Sequence, residues 1–218
     1  MRKYLRIYRN LYNTCKKSGT YFSSVVYREM IYRLFHNKKF WVHQNVKING
    51  VKNIDINGRL TVGLSYVGFI HKSDKTLLNV KGKLRFSGDY SIGRGCRFDI
   101  GTNAIVSFGK GGYITANTTF IIMHKLIIGD NCAISWDCQF LDDDLHEIRY
   151  DGKKNTENSI IIGDNVWIGC GVKIYKGTVI PNNCVIASNS IIKGVFKEEN
   201  TLIGGNPARI IKENIEWK

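Results

Sequence analysis

Residues 160–194 read IIIGDNVWIGCGVKIYKGTVIPNNCVIASNSIIKG, with isoleucine at 162, 168, 174, 180, 186 and 192, six times running at an interval of six. A helix repeats near 3.6 residues and a strand at 2, so neither alone asks for this spacing. Written in sixes the run is IGDNVW, IGCGVK, IYKGTV, IPNNCV and IASNSI, and position five is always small or β-branched. A coiling chain meets both requirements. Each hexad supplies a short flat strand and a sharp turn, three hexads of about 18 residues close one coil, and each isoleucine stacks on the one below. One hexad cannot bury its aliphatic side chain alone, whereas stacked coils bury a continuous column.

The pattern extends backwards through IGDNCA at Ile128 and ISWDCQ at Ile134 to Phe140. Ile92 opens IGRGCR with Phe98 behind it, and Phe108, Ile114 and Phe120 form another in-step trio. This texture of short aliphatic runs broken by Gly, Asn and Asp starts near residue 46. The chain therefore divides into a segment over 1–45 and a coil over 46–218. The coil ends in a cap over 195–218, with a short closing helix expected over 210–217. Four of the six cysteines (96, 132, 138 and 184) fall at position five, where a small side chain lets the corner turn. No CxxC pair exists, so the thiols read as buried and reduced, with neither disulfide nor metal.

Charge is uneven along the chain. The whole carries +14, and residues 1–45 hold ten Lys/Arg against one acid, Glu29. Residues 3–37 keep helical spacing: Tyr4, Ile7, Tyr8, Leu11 and Tyr12, then Phe22, Val25, Val26, Met30 and Leu34. Ser18-Gly19-Thr20 divides the two helices, with Gly19 as the expected stop and Thr20 as the expected N-cap. Basic helices with aromatic flanks suit an anionic membrane surface. A helical hairpin packed on its own protein fits the same residues, and both readings stay open. The basic residues lack the base-reading motifs of a specific nucleic-acid binder. No stretch approaches the roughly 20 apolar residues that span a bilayer, and the N-terminus lacks a signal peptide's apolar core. The expectation is a cytoplasmic protein, at the inner face of the membrane if residues 1–45 bind there.

The period breaks between Phe140 and Ile162, which lie 22 residues apart. LDDDLHEIRYDGKKNTENS, residues 141–159, is a polar loop leaving the wall, and long loops on rigid scaffolds often carry function. It holds Asp142, Asp144 and His146 as D-x-D-x-H. Histidine titrates near pH 6.5 and accepts a proton at neutral pH, and neighbouring carboxylates can orient its ring. A solvated acidic turn with an incidental histidine fits the same residues.

These hexads resemble the left-handed parallel β-helix of the hexapeptide-repeat acyltransferases, over residues 50–212. D-x-D-x-H before IIIGDNVWIG is similar to the acetyltransferases of capsule and lipopolysaccharide biosynthesis. The resemblance implies an O-acetyltransferase that moves an acetyl group directly from acetyl-CoA to a hydroxyl of a sugar or glycan precursor. His146 is then the general base, with Asp142 and Asp144 beside it, and His124 in FIIMHK is the reserve. Asn117 in TAN resembles an acceptor-contacting asparagine of the galactoside and maltose acetyltransferases, although its distance from the next repeat departs from theirs by two residues. Trp167, Gly169, Ala187 and Ser188 resemble positions along which the coenzyme's pantetheine runs. Gly204-Gly205-Asn206-Pro207-Ala208-Arg209 is similar to the family's G-N-P-A-[KR] signature, so Asn206, Arg209 and Lys193 are expected at the coenzyme. A homotrimer follows, because the groove between coils needs two walls, and no metal is implied.

Three other readings share parts of this pattern. An amino-sugar N-acetyltransferase would use the same base. A γ-type carbonic anhydrase needs three zinc-binding histidines, and only His124 and His146 sit in suitable coils unless His71 joins from a second copy. A non-enzymatic basic β-helix binding module would rest on the charge of residues 1–45.

Overall fold

The computed structural model describes residues 2–65, 67–71, 73–147, 149, 151–152 and 157–217, without the side chains of residues 2–4. Residues 148, 150 and 153–156 of the expected loop, the Tyr4 side chain and Lys218 lie outside that description.

The described strands form three sheets that the chain visits in rotation, so the body is a coil with three flat faces. Tyr90–Ile92 lies on the first face, Arg97–Ile100 on the second and Ile105–Phe108 on the third, and Tyr113–Ile114 returns to the first. In-register parallel pairing stacks Ile92, Ile114, Ile134, Ile168, Ile186 and Ile203 on the first face. On the second it stacks Phe98, Phe120, Phe140, Ile174 and Ile192. On the third it stacks Phe86, Phe108, Ile128, Ile162 and Ile180. Each of these side chains is at most 2 % exposed. Full burial of one such side chain stabilises the fold by about 1.5–3 kcal/mol, so the sixfold interval marks the side chains that hold the coils together. The rings of Phe98, Phe120 and Phe140 stack at 4.4 and 4.5 Å, filling the second-face column where the coils exceed 18 residues.

Pairs such as Ile168 with Ile186 and Ile174 with Ile192 are three hexads apart, as the C-terminal repeats require. Coils before Ile134 run to 20 residues or more, and two coils carry excursions. Ile134 pairs with Ile168 because residues 142–159 leave the edge between the second and third faces. Val62 pairs with Ile92 because residues 63–75 leave the edge between the first and second faces. This second excursion folds along its edge, placing Phe69 edge-on to Trp136 at 5.6 Å. Its sequence, GLSYVGFIHKSDK, has the apolar texture of a repeat, which hides it from periodicity.

Corners need left-handed backbone, and Asn117, Asn131, Asp137, Asn165, Asn183 and Asn189 supply it at φ between 55° and 61°. Cys96, Cys132, Cys138 and Cys184 are buried at corners, and the first three donate S–H bonds to carbonyls of Thr115, Gly163 and Gly169 at 3.0–3.2 Å. Burial pushes the Cys96 thiol up to about 12 and those of Cys132 and Cys138 up to about 11. They fill corners and are not poised as nucleophiles.

Helix α1 (Arg2–Ser18) and helix α2 (Phe22–His36) precede the coil, divided where expected, with Gly19 at φ +67° as the stop. Thr20 does not cap α2. Its hydroxyl donates to Gln44 Oε1 at 3.2 Å, and Tyr21 occupies the cap position without a side-chain bond. The coil takes in Phe40–Val42, ahead of the texture change at residue 46, because that strand pairs in register with Leu60–Val62. Helix α2 lies against it, with Tyr32 5.2 Å from Phe40 and Arg28 donating to the carbonyls of His43, Gln44 and Val46.

The closing helix over 210–217 is absent. Ala208–Lys212 is instead a strand, antiparallel to Leu202–Gly205. The β-branched pair Ile210-Ile211 favours extended backbone, and the edge of the first face offers it unpaired hydrogen-bonding groups.

Candidate active site

The loop at 142–159 is fastened at its root by three consecutive carboxylates. Asp142 is fully buried, and its oxygens accept the backbone N–H groups of Met123, His124 and Lys125 at 2.7, 2.8 and 2.8 Å. Asp143 meets His124 Nε2 at 2.6 Å and accepts the Leu145 N–H at 2.6 Å. The Leu145 amide first, and His124 second, hold the Asp143 carboxyl below the usual carboxylate range. Asn158 Nδ2 lies 3.0 Å from the same imidazole nitrogen, which donates to Asp143 in one tautomer and accepts from Asn158 in the other. Asp144 pairs with Lys176 Nζ at 2.6 Å. Residues 123–125 belong to the coil below and Lys176 to the coil above, so the triplet pins the loop to both.

His146 follows immediately, after Leu145 in left-handed backbone. It is exposed and has no hydrogen-bond partner among the described residues. The two carboxylates expected beside its ring are engaged elsewhere: Asp142 with backbone and Asp144 with Lys176. D-x-D-x-H passes over Asp143, and a period count cannot show that His124 and Lys176 stack beside it. Three consecutive acids at the exit of a coil are the signal that marks such a clamp.

The remaining expected residues gather mostly at the edge between the first and second faces. Asn117 is an exposed corner residue there, in one left-handed column with Gly95, Gly171 and Asn189. Trp167 points outward from the first face, 43 % exposed, with its Nε1 3.3 Å from Ser135 Oγ. Gly169, Ala187 and Ser188 follow on the same edge. A methyl on Gly169 would meet Ser188 N at 2.8 Å, and one on Gly204 would meet Ala187 Cβ at 2.7 Å. Side chains are thereby kept small at the last coils of this edge, above Phe69 and Trp136. Asn206 lies in the hairpin turn beside it, after Gly205, whose N–H donates to Ser190 Oγ at 3.0 Å, and Arg209 is exposed on the returning strand. Lys193, however, follows the second-face strand Ile191–Ile192 and lies on the edge that carries His146. The second face thus separates two groups, Trp167, Gly169, Ala187 and Ser188 on one edge and His146 and Lys193 on the other.

The family model described as bacterial transferase hexapeptide (six repeats) matches residues 159–194. An uncharacterized 24.8 kDa protein in the cps region of Klebsiella pneumoniae is 38% identical over 210 residues, 95% of this chain and 94% of its own length. The chain belongs to the hexapeptide-repeat acyltransferases. Its coil is the left-handed parallel β-helix of that family. The galactoside O-acetyltransferase of Escherichia coli is 34% identical over 119 residues, which cover 53% of this chain and 57% of that one. A point mutant of AntD, an N-acyltransferase from Bacillus cereus, superposes with a TM-score of 0.54 at 14% identity, over 88% of this chain and 89% of that one. That likeness is one of fold.

Proposed function

We propose that this acyltransferase is an acetyl-CoA-dependent O-acetyltransferase acting on a hydroxyl of a sugar or glycan precursor, with His146 as general base. The observation that carries this reading is the fastened root of the loop: three carboxylates spent on anchoring leave one free imidazole at a fixed edge. The galactoside O-acetyltransferase relative favours a sugar hydroxyl over the amine of the N-acetyl alternative. At the other edge, small side chains at Gly169, Ala187 and Ser188 suit a thin pantetheine arm, and the Arg209 cation suits the coenzyme's phosphates.

In the proposed reaction the acceptor hydroxyl gives its proton to His146 as its oxygen attacks the thioester carbonyl; the C–S bond then breaks, and the imidazolium returns the proton to the departing thiolate of coenzyme A. Proton transfer of this kind contributes roughly 10² to 10⁴ in rate. No acyl-enzyme is needed, in keeping with the buried thiols. Because the second face separates the two groups, the site is completed by a neighbouring copy, and a homotrimer supplies one such groove per pair. Acetyl-CoA as donor places the reaction in the cytoplasm.

Thiol release from acetyl-CoA, followed against a panel of sugars and sugar nucleotides, tests the activity. His146→Ala is expected to lower turnover at least about a hundredfold with affinity for coenzyme A near normal. Retained turnover would exclude His146 as the base. His124→Ala is then the second variant to measure. As a clamp residue it is expected to lower turnover less and to leave the pH profile in place, whereas loss of the basic limb would make His124 the base.

A further inference from the structure

Both helices leave one flank uncovered. Leu11 and Cys15 of α1 pack against Val25 and Leu64, but Leu5, Tyr8 and Tyr12, at helical spacing on an adjoining stripe, remain 66, 37 and 55% exposed. On α2, Val25 and Glu29 are buried, while Tyr27, Met30 and Leu34 are 60, 50 and 70% exposed and Phe35 77%. Two rows of aromatic and aliphatic side chains therefore face outward from the start of the coil. Scattered exposed apolar residues are ordinary, but aligned rows on neighbouring helices mark an interaction surface.

The charges beside these rows select the partner. Glu29, the one acid of residues 1–45, is 3% exposed and consumed by Arg33 at 3.0 Å and Trp41 Nε1 at 2.9 Å. Arg28 and Lys38 are tied to the body. Arg6, Arg9, Lys16, Lys17 and Lys39 are exposed and have no ion-pair partner among the described residues. A second copy would bring the same positive flank against this one. A nucleic acid would satisfy the cations and leave Leu5, Met30 and Leu34 in water. An anionic lipid surface satisfies both, taking the aliphatic and aromatic groups into the acyl boundary and the cations among the headgroups.

We propose that the α1–α2 flank docks the protein on an anionic membrane, lying in the interface plane without crossing it. Among the described residues no helix is long and apolar enough to span a bilayer. The flank sits at the first coil, and the root of the His146 loop lies four strand spacings along the second face, about 20 Å away. Docking so oriented keeps the loop within reach of a glycan carried on a membrane lipid. The docking itself does not depend on the acetyl-transfer reading.

Co-sedimentation of the full chain with vesicles tests it, comparing phosphatidylcholine alone with phosphatidylcholine mixed with phosphatidylglycerol. The expected result is binding to the mixed vesicles alone, weakened by salt. Removing two cations together, R6A/R9A, is expected to weaken binding roughly 25-fold, each contributing about fivefold. L5A/M30A/L34A, at positions 66, 50 and 70% exposed, is expected to weaken it with the thermal midpoint unchanged. Equal binding to neutral vesicles, or none to anionic ones, overturns the proposal. So does a change of oligomeric state in these variants, seen by sedimentation, because the flank would then be an interface between copies.

Discussion

Asp142 and His146 are four residues apart, and their surroundings assign them opposite work. Asp142 has no contact with solvent and spends both oxygens on three amides, whereas His146 stands in solvent with nothing to hold. Asp142→Ala strands those amides, and hydrogen bonds to a charged acceptor are each worth about 1.5–3 kcal/mol, so a loss of about 3 kcal/mol or more in unfolding free energy is expected, read as a lower denaturant midpoint. Turnover falls with it because the loop loses its root. If Asp142 acted on the imidazole instead, the variant would shift the pH profile of turnover and hardly move the midpoint. The motif itself was legible, because D-x-D-x-H interrupts a strict period. The partners were not: Met123–Lys125 and Lys176 become neighbours of the triplet only once coils stack.

At the level of elements, the column of isoleucines was readable because the same small set of contacts recurs in every coil. The excursion at 63–75 was not, since its contacts are long-range, Phe69 on Trp136 and Leu64 on the helices; nor was the C-terminal hairpin, which forms only where the first face offers an open edge. The joint between helix and coil is likewise a tertiary feature. His43 is fully buried there, and burial first, then the charges of Arg94 and Arg28, depress its pKa to about 4. In the unfolded chain the same imidazole titrates near 6.5. Between these values the unfolded state binds more protons, so this contribution is intact above pH 6.5 and is lost progressively as pH falls towards 4. Thermal unfolding followed over that range is expected to show a loss of about 3 kcal/mol, reduced in His43→Gln. Equal slopes for both proteins would place the acid sensitivity elsewhere.

Across the whole molecule the coil works as a ruler that sets the expected donor residues on one edge and the proposed base on the next. A single chain cannot bring them together, since a sheet of seven strands stands between them. The proposed trimer would, if each copy sets its His146 edge against the donor edge of its neighbour. The arrangement has a consequence that tests it without any structure of the assembly. Take one variant lacking the base, His146→Ala, and another whose donor edge is blocked, Ser188→Trp at an exposed position. Each alone is expected to be inactive. When the two are unfolded, mixed in equal amounts and refolded, random assembly pairs an intact base with an intact donor edge at roughly a quarter of the grooves, and about that fraction of wild-type turnover should return. Were both groups to act within one chain, every chain in the mixture would still carry one defect and mixing would restore nothing. Recovery therefore reports that the groove is shared, and its absence would require the loop to reach across the second face of its own coil.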